Sequence, residues 1–322
     1  MTNNHSKTYL LSRSLFLGLI YSKMFGYSEN DTIISFLIGL IFGLLLIIII
    51  NHLKTNSIYH KIIYFIYLTI MIILGIVIIE TYLSYFFLTK TPRMIIILPV
   101  ILLCIYISFQ GKQTINILSN LLLYLSIFFI IITIIIIIPS FSFNNFLPFF
   151  SHPLTNILKS SFIFGIFSSS PNILLSNDSI PLKKHLKYYL ITSIINIIIG
   201  IMIIGILKPT LLSIYSFPEY MVLKNIKLFG FIENLENILS LIWLIDTIFM
   251  LSYSFYNLHL LLNKKYLSLS YIIILTIITT YFIITNYDIV LLIYYYGSLV
   301  ILIIIILLSI KKELFISSEK YK

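Results

Sequence analysis

The chain has 322 residues, 60% of them hydrophobic and only 10% charged, with a formal net charge of +10 and a mean hydropathy of +1.07. A soluble domain carries about 25% charged residues, so this chain cannot cover itself with polar surface in water, and lipid must be its solvent. Its 21 basic residues sit in short loops between apolar runs, which argues against nucleic acid as a partner and makes them topology signals.

A membrane-spanning helix needs about 20 mostly apolar residues. The runs are continuous and do not alternate, which argues against strands. Helices satisfy their own backbone hydrogen bonds in lipid. In chain order the expected spans are Leu10–Tyr27, Thr32–Asn51, Ile62–Leu88, Met94–Phe109 and Ile115–Pro139, then Leu158–Leu175, Tyr188–Leu207, Phe231–Leu262, Leu269–Thr285 and Ile289–Ile310. The fold class is therefore an all-α integral membrane protein, a single polytopic domain over residues 1–322 with about ten transmembrane helices. Lys23 and Ser28-Glu29-Asn30-Asp31 follow the first run with no small-residue cleavage site, so that run is expected to remain as a span.

With the N-terminus inside, the cytoplasmic segments hold fourteen of the 21 basic residues and the outer segments seven. That bias predicts both termini in the cytoplasm. Two long connections, Ser140–Ile157 and Lys208–Gly230, then fall outside. The second has an apolar rhythm of its own at Phe217-Pro218-Glu219-Tyr220-Met221-Val222-Leu223, which fits a short helix lying in the interface or dipping inward.

The first and sixth spans are interrupted in corresponding places. The first is short and carries Arg13, Gly18, Ser22 and Lys23. The sixth reads Gly165-Ile166-Phe167-Ser168-Ser169-Ser170-Pro171. Proline removes a backbone donor and serines compete for backbone bonds, so such segments suit places that line a protein cavity. Interrupted helices at matching positions of two halves predict a five-plus-five inverted repeat with a small-solute site at its centre. Gly18, Ser22, Gly165, Ser168 and Ser169 are the candidate residues there. The alternative for the sixth span is an ordinary proline kink.

Two acids lie deep in apolar runs. Glu80 and Asp246 each cost at least ~2.5 kcal/mol to insert at a helix centre. Such groups face a cavity, a proton or solute path, or a partner on a neighbouring helix, and Asn196 is one such partner for Asp246. Trp243 and Thr247, on the same run as Asp246, join it as ligand-binding candidates. Glu233 and Glu236 share a face at the start of the eighth span, where the helix dipole alone accounts for them. The six histidines are scattered with no metal spacing, and Cys104 is alone inside an apolar run. No metal, cofactor or catalytic constellation is expected, and an intramembrane enzyme finds no Ser/His/Asp or metal motif to rest on.

Several landmarks, in order, resemble the spore germination permeases (the GerAB/GerKB-type germinant receptor B subunits). They are Asp31-Thr32-Ile33-Ile34-Ser35, Thr91-Pro92 after the third span, Gly111-Lys112 after the fourth, and Asn145-Phe146-Leu147-Pro148. The longest runs from Phe217-Pro218-Glu219-Tyr220 through Glu233 and Glu236 to Trp243. Asn234, Asp246 and Met250 depart from the family's usual arginine, small residue and lysine. The resemblance implies membership of the amino acid–polyamine–organocation superfamily, with helices one and six broken at a small-ligand site. It also implies that an acid near Glu80 is a family feature, and that the chain senses a small nutrient such as an amino acid beside other germinant receptor subunits in the cell membrane or inner spore membrane. A proton- or sodium-coupled amino acid transporter of the same fold is the alternative.

Overall fold

The computed structural model describes residues 18–52, 58–174, 181–224 and 235–285. No strand occurs among them. The helices are α1 (Leu19–Ser28), α2 (Thr32–His52), α3 (Ile58–Phe86), α4 (Arg93–Phe109), α5 (Lys112–Ile137), α6 (Leu154–Leu174) and α7 (Leu182–Ile206), followed by the short α8 (Pro209–Leu212) and α9 (Pro218–Lys224), and then α10 (Leu235–Leu262) and α11 (Lys265–Thr285). Five stretches are long and apolar enough to cross a bilayer: Leu19–Ile49, which includes the turn between α1 and α2, and Tyr64–Phe86, Lys112–Ser140, Leu182–Ile206 and Lys265–Thr285. The expected tenth span, Ile289–Ile310, lies outside the described residues, as do the residues before Gly18. A complete five-plus-five repeat would need both.

The helices begin earlier than hydropathy suggests. α5 starts at Lys112 instead of Ile115, α6 at Leu154 instead of Leu158, and α7 at Leu182 instead of Tyr188. Their first turns are polar, and a polar turn still propagates a helix while its side chains reach water or headgroups.

The outer face is apolar and the inner face carries hydroxyls. On α5, Ile117, Leu121, Phe128, Ile131 and Ile135 are exposed, whereas Ser119 and Ser126 are buried. That inversion of the soluble pattern is what lipid solvent requires, because apolar side chains gain nothing from leaving hydrocarbon and hydroxyls need partners inside.

A turn at Glu29–Asp31 folds α1 back beside α2, so that the rings of Tyr21 and Phe36 meet with centroids 6.4 Å apart. Hydroxyls knit α1, α2 and α6 beneath it. Ser28 Oγ lies 2.8 Å from Thr32 Oγ1 and donates to Ser160 Oγ at 2.9 Å, and Ser160 in turn donates to the Met24 carbonyl at 3.0 Å. Asp31 clamps the loop before α6. Its carboxylate accepts the Phe150 and His152 N–H groups at 2.6 and 2.8 Å and the Ser151 hydroxyl at 3.3 Å.

The sixth span departs from expectation. α6 runs unbroken from Leu154 to Leu174, straight through Gly165-Ile166-Phe167-Ser168-Ser169-Ser170. The serines do not unwind it, because Ser169 Oγ donates back to the Ile166 carbonyl at 3.0 Å and Ser168 Oγ to the Tyr189 hydroxyl at 3.2 Å. Gly165 is a packing residue. A Cβ there would lie 2.5 Å from Phe42 Cδ1 and 2.9 Å from the Gly39 carbonyl oxygen. Gly39 and Gly43, four residues apart on α2, admit the α6 backbone in the same way, which is the small-residue crossing that membrane helices use when no hydrophobic effect drives them together. Accordingly, α2 packs most extensively on α6.

α3 and α10 form the second seam. Gly75 meets Leu251, and Ile78, Ile79 and Tyr82 share a cavity with Trp243, Leu244 and Thr247. The pair is therefore antiparallel, and Glu80 stands at the level of Asp246.

Candidate ligand site

The long connection between α7 and α10 supplies the site. α9 takes the inward course: Phe217, Pro218, Glu219, Tyr220, Val222 and Leu223 are all buried, and the helix packs on α7 and α10. Pro218 at its first position has the φ a helix start needs and lacks the N–H that would go unpaired there. Phe217 and Tyr220 anchor α9 on α3, with ring centroids 5.2 Å between Phe217 and Tyr82 and 3.8 Å between Tyr220 and Phe86.

This places Glu219, 3% exposed, against the start of α1. Its carboxylate accepts hydrogen bonds from its own backbone N–H and from that of Gly18. Gly18 has φ +65°, a conformation that favours glycine, and a Cβ there would collide with the Phe217 ring. The exposed backbone N–H of a helix start suits a carboxylate. Glu219 Oε2, however, has no hydrogen-bond partner among the described residues. Burial pushes this carboxyl up from its ordinary 4.5 to about 8, against the opposing pull of the two N–H groups.

Glu219 and Trp243 together line two chambers. One, a cavity of about 20 Å³, is bounded by Ile79 and Tyr82 of α3, Phe217, and Thr247 of α10. The other, about 40 Å³, is bounded by Ile130, Thr133 and Ile137 of α5, Met202 and Ile203 of α7, and Leu223. The first is lined by aromatic and aliphatic side chains in equal number and the second mostly by aliphatic ones. No Lys, Arg or His lines either one among the described residues.

The structure thus brings Gly18, Trp243 and Thr247 of the sequence candidates together around a residue that sequence reasoning had quoted but not assigned. Ser22 sits one turn beyond Gly18 and is half-buried; its backbone N–H donates to the Gly18 carbonyl at 3.0 Å, and it does not line the chambers. Gly165, Ser168 and Ser169 lie in the α2–α6–α7 seam, away from Glu219. Asp246 is fully buried and faces α5, where the Ser126 hydroxyl reaches both its oxygens at 2.9 Å. The Asn196 backbone carbonyl accepts the Tyr21 hydroxyl at 2.6 Å. Glu80 is fully buried with no hydrogen-bond partner for either oxygen among the described residues. Glu233 lies outside the described residues. Among the described residues no group of His, Cys, Asp and Glu could hold a metal.

Helices with apolar outer faces around a buried acid define a multi-pass membrane protein with an internal acid-bearing pocket. No family model matches the chain. It is similar to YfkT of Bacillus subtilis (strain 168), a protein whose name assigns it to spore germination, with 22% identity over 160 residues. The matched stretch covers 49% of this chain and 45% of that relative, so the chain spans under half the relative's length. That similarity supports a germination-related membrane protein.

Proposed function

We propose that the chain is the small-nutrient-sensing membrane subunit of a spore germinant receptor, with an amino acid as the expected nutrient and a binding role instead of a catalytic one. The observation that carries this reading is the pocket under α9, where a buried carboxylate with a free oxygen meets the first residues of α1. Ligand contact there would reach α1, α3, α5, α7 and α10 at once, which is the reach a sensor needs to bias one helix arrangement over another. The name carried by the relative supports the germination setting. In this reading the site is the Glu219 pocket, reached from the α1 end only, because α6 is continuous. Partner receptor subunits receive the signal, and both termini are cytoplasmic, as the basic-residue bias predicts.

The test is binding and flux of a labelled amino-acid panel with the full chain in nanodiscs and proteoliposomes. Saturable binding of at least one amino acid, without gradient-driven accumulation, is expected. Absence of binding across the panel would sink the sensing reading. Accumulation driven by a pH or sodium gradient would instead establish the alternative, a proton- or sodium-coupled transporter, for which the unpartnered buried carboxylate of Glu80 is the specific support.

A further inference from the structure

We propose that the Glu219 pocket recognises the ammonium group of a small aliphatic amine or amino acid, with Glu219 Oε2 as its acceptor. The inference rests on the reading above only in taking this pocket as the ligand site.

Three features carry it. First, Glu219 Oε2 is a buried acceptor with no partner among the described residues, on the wall common to both chambers. A buried acceptor left empty is unfavourable, and a charged donor would remove that cost through a short charge-assisted hydrogen bond. Second, Tyr82, Phe217 and Trp243 line the pocket beside it. Aromatic faces attract a desolvated cation and gain nothing from an anion. Third, the adjoining chamber is walled by Ile130, Ile134, Ile137, Met202 and Ile203, a surface for an alkyl group and not for a second charge. A neutral hydroxyl could pair with Oε2 but would bring no charge to it or to the rings beside it, and an anion would meet an acidic group with no basic side chain lining either chamber among the described residues. The cation is thus fixed at Glu219 and its tail is directed towards α5 and α7.

Trp243 is the chain's single tryptophan and lines both chambers, so its emission reports occupancy of this site alone. The experiment titrates the full chain in nanodiscs with isobutylammonium, isobutanol and isobutyrate, three probes of one shape with charges of +1, 0 and −1, and repeats the titrations on Glu219→Gln and Glu219→Asp. Expected is a saturable emission change with isobutylammonium, at least tenfold weaker with the other two, corresponding to about 1.4 kcal/mol of discrimination. Glu219→Gln should erase the preference while still unfolding in a single cooperative transition. Glu219→Asp, which keeps the charge, should retain the preference at lower affinity. Methylammonium should bind more weakly than isobutylammonium, because it leaves the aliphatic chamber empty.

Equal response to the three probes, a preference that survives Glu219→Gln, or no saturable response to any probe overturns the inference. Panel binding on the same preparation separates the two readings. Amino-acid binding without ammonium preference removes the inference and leaves the sensor reading. Ammonium preference without amino-acid binding removes the nutrient reading and leaves the site.

Discussion

Substituting Gly165 by alanine tests whether this glycine serves packing or backbone opening. A Cβ at Gly165 would stand 2.5 Å from Phe42 Cδ1, 2.9 Å from the Gly39 carbonyl oxygen and 3.2 Å from the Gly43 nitrogen. The ring can rotate away, at the cost of its edge-to-face contact with Phe162, whose centroid is 4.7 Å distant. The two backbone atoms cannot move without the whole of α2, so the helices must part by some tenths of an ångström along their most extensive contact. Overpacking of this kind costs about 1–3 kcal/mol, to which the lost aromatic pair adds about 0.5–1.5 kcal/mol. Gly26 in α1 is the internal control, since a Cβ there meets nothing within 4 Å. Gly26→Ala should gain as much as ~1 kcal/mol from helix propensity. The same propensity gain applies to Gly165→Ala in α6 and cancels between the two, so the variants should lie about 1.5–4.5 kcal/mol apart in unfolding free energy, read from denaturant or thermal unfolding of the full chain in one detergent. If Gly165→Ala unfolds with the parent but loses ligand response, α6 is opening at Gly165 and the packing account is wrong. Comparable stability of both variants with ligand response intact would refute it equally.

Ser126→Ala removes the hydroxyl that reaches both oxygens of Asp246; loss of about 1–3 kcal/mol is expected in unfolding experiments, and an unchanged stability would mean that this hydroxyl is dispensable to the carboxylate. Asp31→Ala releases the Phe150 and His152 N–H groups and the Ser151 hydroxyl, so limited proteolysis should cut the loop before α6 several times faster, and an unaltered cleavage pattern would remove Asp31 as the clamp. Glu219 titrates at about 8 in the folded chain against an ordinary 4.5. Between those values the folded chain therefore holds a proton that the unfolded chain has released. Its contribution is fully present below pH 4.5 and is lost as pH rises towards 8, at about 1.4 kcal/mol per unit. Glu219→Gln should flatten that slope in a plot of thermal midpoint against pH, and parallel plots for parent and variant would refute the assignment.

Where the described helices lie could be read from apolar runs, because lipid imposes helix on any such run and the cost of an unpaired backbone group in hydrocarbon leaves no other choice. What those helices do at Gly165-Ile166-Phe167-Ser168-Ser169-Ser170 could not. Glycine and serine are ambiguous in a membrane: the same residues that loosen a helix with an empty neighbour tighten it against a close one. The deciding information was on α2, where Gly39 and Gly43 stand four apart and make the complementary notch. At Gly18 the same ambiguity resolves the other way: φ is +65° there, and a Cβ would collide with Phe217, 199 residues further along the chain.

The acid at the centre of the pocket escaped for a reason that can be corrected. Glu80 and Asp246 stand out in the sequence because they sit inside spans, whereas Glu219 sits in a connection whose apolar rhythm fits an interfacial helix as well as one dipping inward. Yet the flanking residues Phe217, Tyr220, Val222 and Leu223 are as apolar as a span, and a segment that cannot remain in water must be buried by protein if it is too short to cross lipid. Under that constraint the acid of such a segment is carried inward with it. Its ionised form is then disfavoured and its free oxygen is left to be met by whatever enters. The argument that made Glu80 a functional candidate therefore applies to Glu219 as well: both are buried acids with an unpartnered oxygen among the described residues, and Glu219 lines two cavities.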